Sequence, residues 1–313
     1  MIQRVIYITL VLLVVQIGLI IALHSGENRL QAISPDTSFA DFNPDRISEI
    51  RITDEEDKLI ITRAEDGWKI PSAYGVNADN NQVEELLDKL VTARKGFAVA
   101  TSNEAAGRFR TAEDNFEHHL EILAGEAVEL DLYLGTSADV RHIYARLAGD
   151  QEVYALPISG FEIEPEVDNW FDKNAVKRTR DKIVKLRIGA LQLEKSGEDW
   201  VLDGEESTEL ATEAVNYLVD HLANLSVQSV LDPDQVKKLF AEGPELQLSL
   251  TEDEGGDINY EFVKADDHFV LKTSDSDVYY KISSWQVEKL KEFTRAKITH
   301  SETEENQPDD GSA

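Results

Sequence analysis

The residues best suited by type and spacing to do chemistry are His118 and His119, flanked by Glu117 and Glu121. Imidazole and carboxylate together bind zinc, which takes about three protein ligands in a catalytic site and four in a structural one. If this segment enters a strand, neighbouring side chains point to opposite faces, so only His119 and Glu121 can share an ion. Two ligands fall short of either kind of site, and polar residues at the start of a strand explain the pattern more simply. The acidic runs Glu252-Asp253-Glu254-Gly255-Gly256-Asp257 and Asp275-Ser276-Asp277 admit a calcium reading. They lack the twelve-residue spacing and closing glutamate of a calcium loop, and they read as solvated hairpin turns. No nucleophile elbow, zinc-protease pair, phosphate-binding loop or dinucleotide glycine motif occurs, and the absence of cysteine removes thiol chemistry. Sixty-one carboxylates leave a catalytic pair open, yet no spacing selects one. The sequence therefore assigns no catalytic, cofactor-binding or metal-ligating residue, no cofactor, and no enzymatic activity.

Trp68 and Trp200 are the aromatics whose position carries information, because the chain is written twice. Val83, Leu86, Leu87, Leu90 and Val91 recur as Val215, Leu218, Val219, Leu222 and Ala223, each pair 132 residues apart, as are the two tryptophans. Ile50-Arg51-Ile52 answers to Leu186-Arg187-Ile188, Leu120-Glu121-Ile122 to Leu246-Gln247-Leu248, and Val153-Tyr154 to Val278-Tyr279. A tryptophan at one point in both copies is either a platform for sugars or a core residue beneath a helix; its repetition favours the core.

Each copy opens with alternating apolar stretches separated by polar turns, the pattern of an antiparallel meander. An amphipathic helix follows, with its apolar residues at i, i+3, i+4, i+7 and i+8. It starts near Asp79 in the first copy and spans Thr212 to Asn224 in the second. A second group of strands closes each copy. In the second copy Asp232-Pro233 opens a short helix and Ser283, with Gln286 three residues on, caps the last one. The corresponding closing helix of the first copy is broken by Pro165.

Residues 5–23 contain no charge and would span roughly 28 Å as a helix, close to the thickness of a bilayer core. The run is longer than a signal-peptide core and lacks a small-residue cleavage site. Arg4 before it and Glu27, Asp36, Asp41 and Asp45 after it favour a cytoplasmic amino terminus. The fold class expected is α+β: an N-terminal transmembrane helix followed by two duplicated domains of antiparallel sheet packed with helices. The expected divisions are an anchor at 1–23, a tether at 24–45, a first repeat at 46–178, a second at 179–299 and a disordered acidic tail at 300–313. The net charge of −30 disfavours nucleic acid and anionic lipid headgroups, both of which need a basic patch. It fits a solubility adaptation to a saline habitat, or attraction of cations or of a basic partner.

The anchor, the two copies of I-x-x-I-x-I, the Gly/Asp-Trp strand, the V-x-x-L-L/V-x-x-L helix and the Asn169-Trp170-Phe171-Asp172-Lys173 step together resemble the bacterial domain of unknown function 4340 proteins. The resemblance implies an envelope protein encoded beside a gliding-type ABC transporter, with an ABC-2-like permease, its ATPase and a large periplasmic companion as partners. It brings no catalytic residues. The expected function is a non-enzymatic scaffold in the bacterial inner membrane with most of the chain in the periplasm, docking through the cleft or sheet edges between the copies. The alternative is an envelope polysaccharide or peptidoglycan binding module without a transporter.

Overall fold

The computed structural model describes residues 37–205 and 209–299. The apolar run Val5 to Leu23 and the tail 300–313 lie outside these residues, and among those described no helix is long and apolar enough to cross a membrane. The architecture is α+β, with antiparallel sheets and short helices. The described residues divide into two compact units, one of residues 37–63 with 81–165, the other of 64–80 with 166–205 and 209–299.

In the first unit β1 (Glu49–Thr53), β2 (Lys58–Ala64), β7 (His118–Ala124), β8 (Ala127–Asp139), β9 (His142–Leu147) and β10 (Tyr154–Leu156) lie in the order β10-β9-β8-β7-β1-β2. Alternation along β1 and β2 buries Ile50, Ile52, Leu59 and Ile61 and leaves the intervening residues towards solvent. Helix α1 (Asn80–Thr92) buries Val83, Leu86, Leu87 and Leu90, the stripe expected from the 3.6-residue period. Helix α2 (Asn103–Arg108) is capped by Ser102 and leads into the small hairpin β5 (Thr111–Ala112) and β6 (Asn115–Phe116). Residues 37–45, expected to belong to the tether, are packed: Phe39, Ala40 and Phe42 are buried, and Phe39 meets Tyr154 edge-on at 5.8 Å. Two phenylalanines within four residues supply enough apolar area to hold even a proline-containing segment.

In the second unit, β3 (Gly67–Ile70) and β4 (Val76–Asn77) pair as a short hairpin, and α3 (Val167–Trp170) precedes the main sheet. That sheet comprises β11 (Ile183–Ile188), β12 (Leu191–Ser196), β13 (Asp199–Leu202), β14 (Ser229–Leu231), β15 (Leu246–Glu252), β16 (Asp257–Lys264), β17 (His268–Thr273) and β18 (Tyr279–Ser283). Its order is β13-β12-β11-β15-β16-β17-β18-β14. Helix α4 (Thr212–Ala223) packs against α6 (Ser284–Lys291) and α7 (Arg295–Ile298), and α6 in turn lies on β17 and β18. Asp232 caps α5 (Pro233–Val236) by accepting from the Asp234 N–H at 2.9 Å.

The run β10-β9-β8-β7-β1-β2 is matched, strand for strand, by β18-β17-β16-β15-β11-β12. The register corrects two of the expected correspondences, one of them by a single residue: Leu134 pairs with Ala145 and Ala145 with Tyr154, while Phe262 pairs with Leu271 and Leu271 with Tyr280, so Tyr154 corresponds to Tyr280 and not to Tyr279. Ile50 pairs with Ile122 and Ile52 with Leu120, while Leu186 pairs with Leu250 and Ile188 with Leu248. Leu120 therefore corresponds to Leu248 and Ile122 to Leu250, two residues further on than the sequence landmarks place them. A shift of two leaves every side chain on its original face, so alternation alone cannot detect it. The broken closing helix of the first copy reduces to a 3₁₀ turn at Gly160–Glu162.

Gly135 on β8 lies hard against the backbone of the segment that follows α2. A Cβ there would lie 1.9 Å from the Phe109 carbonyl oxygen and 2.7 Å from that of Arg110. The Phe109 carbonyl already accepts from the Thr136 N–H at 3.0 Å, so it cannot retreat without losing that bond. Gly135→Ala is expected to lower stability by about 2–3 kcal/mol in urea unfolding. Gly107→Ala, in open space on α2, should be neutral or stabilising by up to about 1 kcal/mol.

Candidate functional site

Strand β7 separates the histidine pair as alternation requires. His118 is buried with its Nδ1 unpartnered, whereas His119 faces outward. His119 Nε2 lies 2.7 Å from Asp131 Oδ1, and its ring stacks on Tyr133 at 4.6 Å and 13°. Glu117 pairs with Arg110 at 2.9 Å, and Glu121 faces Arg51 at 3.9 Å. Glu117, His119 and Glu121 therefore serve different partners, and among the described residues no group of three or more His, Cys, Asp or Glu is arranged to hold a metal ion.

The acidic turns are engaged in the same way. Asp257 accepts from Thr251 Oγ1 at 2.6 Å across the β15–β16 hairpin. Asp275 binds Arg178 Nη2 at 2.6 Å, and Arg178 Nε donates to the Tyr260 hydroxyl at 2.8 Å. Arg178 belongs to residues 172–182, a stretch between the copies that also carries Lys173, Lys177, Arg180 and Lys182, and its own backbone N–H donates to the Ala223 carbonyl. Arg178 thus ties that stretch to α4 through its backbone and to β16 and the β17–β18 turn through its guanidinium. Burial raises the Tyr260 hydroxyl above its ordinary value, against the opposing pull of Arg178.

The two tryptophans do not share an environment. Trp68 is 2% exposed. Its backbone N–H donates to Asn80 Oδ1 at 2.8 Å, and Gly67, at φ +127°, leaves room for the Asn80 amide where a Cβ would come within 2.7 Å. In the second copy Asp199 stands in place of Gly67 and Thr212 in place of Asn80. Trp200 is only half-buried and lines an open depression of about 530 Å³ with Leu210, Val215, Asn216 and three carboxylates. The core expectation therefore describes Trp68 and fails in part for Trp200, because the asparagine lock is gone.

Exposed aromatics not singled out from the sequence occur at the start of each closing turn: Phe161 is 84% exposed and Trp285 61%. Both sit two residues after a capping serine, Ser159 or Ser283, and Trp285 precedes the buried Val287 and Leu290 off their stripe. That off-stripe position is the sequence signal that identifies Trp285. On the first unit's helix α1, Lys89 bridges Glu85 at 2.8 Å and also Glu162. Burial raises the Glu162 carboxyl, but Lys89 and the Ser159 N–H outweigh it and hold the group below its ordinary range.

Comparison with known proteins adds a family. The profile described as Domain of unknown function (DUF4340) matches residues 68–244, more than half of the 313-residue chain. No curated protein and no solved structure matches the chain.

Arg178→Met removes the partner of a buried hydroxyl and of Asp275 together and is expected to cost about 2–3 kcal/mol in denaturant unfolding. Arg178→Lys should recover little of this, since a single ammonium cannot reproduce the two-pronged contact. A second expectation concerns acid. Because the folded-state value of Glu162 is depressed, its contribution is complete above the ordinary glutamate range and disappears as pH falls through the lower folded value. Glu162→Gln should accordingly flatten the loss of stability below about pH 4.5 measured by urea titrations at successive pH values.

Proposed function

Because the chain belongs to the domain of unknown function 4340 family, whose description names no chemistry, we propose that it is a non-enzymatic accessory subunit of an ABC-type, gliding-type transport complex. In this reading Val5 to Leu23 hold it in the bacterial inner membrane, the amino terminus is cytoplasmic, and two duplicated α+β modules stand in the periplasm. The permease and the periplasmic companion are then the partners within reach, and the ATPase is met only through the permease.

The observation that carries the reading is what the copies share. They repeat a six-strand order and a buried helix stripe, whereas the polar groups with chemical potential, His119, Glu117, Asp257 and Asp275, are each engaged by a different neighbour. A duplication that preserves shape and not a polar constellation supports selection for surfaces. Strand β13, at one end of the second sheet, offers an edge to which a partner could add a strand.

A second reading is an envelope-glycan binding module, which the half-buried Trp200 beside a carboxylate-lined depression favours. The test is to solubilise native membranes in mild detergent, crosslink lightly and capture a C-terminally tagged chain. The accessory reading expects a permease and its ATPase in stoichiometric amount. Capture of the chain alone, or with glycan and no transporter, overturns it.

A further inference from the structure

The exposed aromatics of the second unit form a corner with no counterpart in the first. Tyr217 and His221, one turn apart on α4, have ring planes within 8° of parallel and centroids 6.1 Å apart. Trp285, on the first turn of α6, stands edge-on to His221 at 5.5 Å and 78°. The Gln286 carbonyl oxygen lies 2.8 Å from His221 Nε2 and fixes the imidazole's orientation. Tyr217 is 50% exposed and Trp285 61%. Phe293, 5.9 Å from Tyr217, already carries Lys297 Nζ over its ring at 5.0 Å. Among the described residues no lysine or arginine covers the rings of Tyr217 or Trp285.

The equivalent place in the first unit is filled differently. The 132-residue offset puts Glu85 and Lys89 where Tyr217 and His221 stand, and alignment of the capping serines puts Phe161 at Trp285 and Glu162 at Gln286. There the chain supplies its own cation, Lys89, and holds it between two carboxylates. In the second unit that cation is absent and ring faces take its place. Nearby Lys289 and Lys291 are neutralised by Glu292, Glu245 and Glu288.

We propose that Tyr217, His221 and Trp285 receive an arginine side chain from a basic partner polypeptide. A guanidinium is planar and weakly hydrated, and it stacks on tryptophan and tyrosine faces. The net charge of −30 draws basic partners to this surface and repels acidic ones. Tryptophan, tyrosine and arginine also dominate the energetic centres of protein interfaces. The inference rests on the docking function proposed above and names its surface.

The test is calorimetric titration of the full chain in detergent with acetylated tri-arginine amide, at about 0.15 M and about 0.5 M salt to separate screened attraction from ring contact. Tyr217→Ala with Trp285→Ala leaves the net charge unchanged and alters only residues at least half exposed. It should weaken the probe about tenfold at both salt concentrations, and Trp285→Gln alone should weaken it about threefold. Phe161→Ala, which removes an isolated ring, should leave the affinity as it is. Equal affinity for wild type and double variant overturns the proposal, as does absence of binding. So does loss, in the double variant, of binding to phosphatidylcholine vesicles or to a neutral oligosaccharide with the tri-arginine affinity unchanged. Wild-type capture of the transporter alongside equal tri-arginine affinities would remove this surface and leave the accessory function standing. The expected affinities without transporter capture would do the reverse.

Discussion

Pairing of β1 with β7, and of β11 with β15, makes sheets out of hairpins, and the rest of each six-strand run depends on it. Every other neighbour in those runs follows its partner through a short turn. The two closures join residues far apart in the chain, Ile50 to Ile122 and Leu186 to Leu250, with the amphipathic helix inside each loop. Loop-closure entropy grows slowly with length, so closing such long connections costs little more than closing short ones provided the paired face is buried. Ile50, Ile52, Leu120 and Ile122 meet that condition in one unit, and Leu186, Leu248 and Leu250 in the other.

Once the sheet is closed, the residues around it can diverge. The Gly67 and Asn80 lock that seals Trp68 is replaced by Asp199 and Thr212, and Trp200 comes towards the surface. The Lys89 ion-pair bridge is replaced by rings. Neither change touches the buried stripe, so the fold tolerates both. This is how one copy can hold a lysine between two carboxylates where the other exposes ring faces.

The acidic charge is distributed within the same frame. Many carboxylates sit in turns and accept from their own hairpins or from nearby cations, as Asp257 does from Thr251 and Asp275 from Arg178. Surface pairs of this kind contribute little each to stability. Arg178 differs because its guanidinium is largely buried and serves two groups at once.

The sequence by itself determined the duplication, the strand and helix types, and the helix faces, since alternation and the 3.6-residue period are local signals. It also contained the family, through a tryptophan strand and a leucine stripe that recur at one offset. What only the tertiary structure decided depends on distant residues meeting. The two-residue register of β15 relative to β7 is invisible to a period of two. The burial of Phe39 and Phe42 depends on a surface assembled elsewhere in the chain. Trp68 and Trp200 look alike in sequence and differ because the residue a dozen positions on is Asn80 in one copy, which binds the Trp68 backbone, and Thr212 in the other. Tyr217, His221 and Trp285 belong to two helices separated by five strands, and only the packing of α4 against α6 brings their rings together.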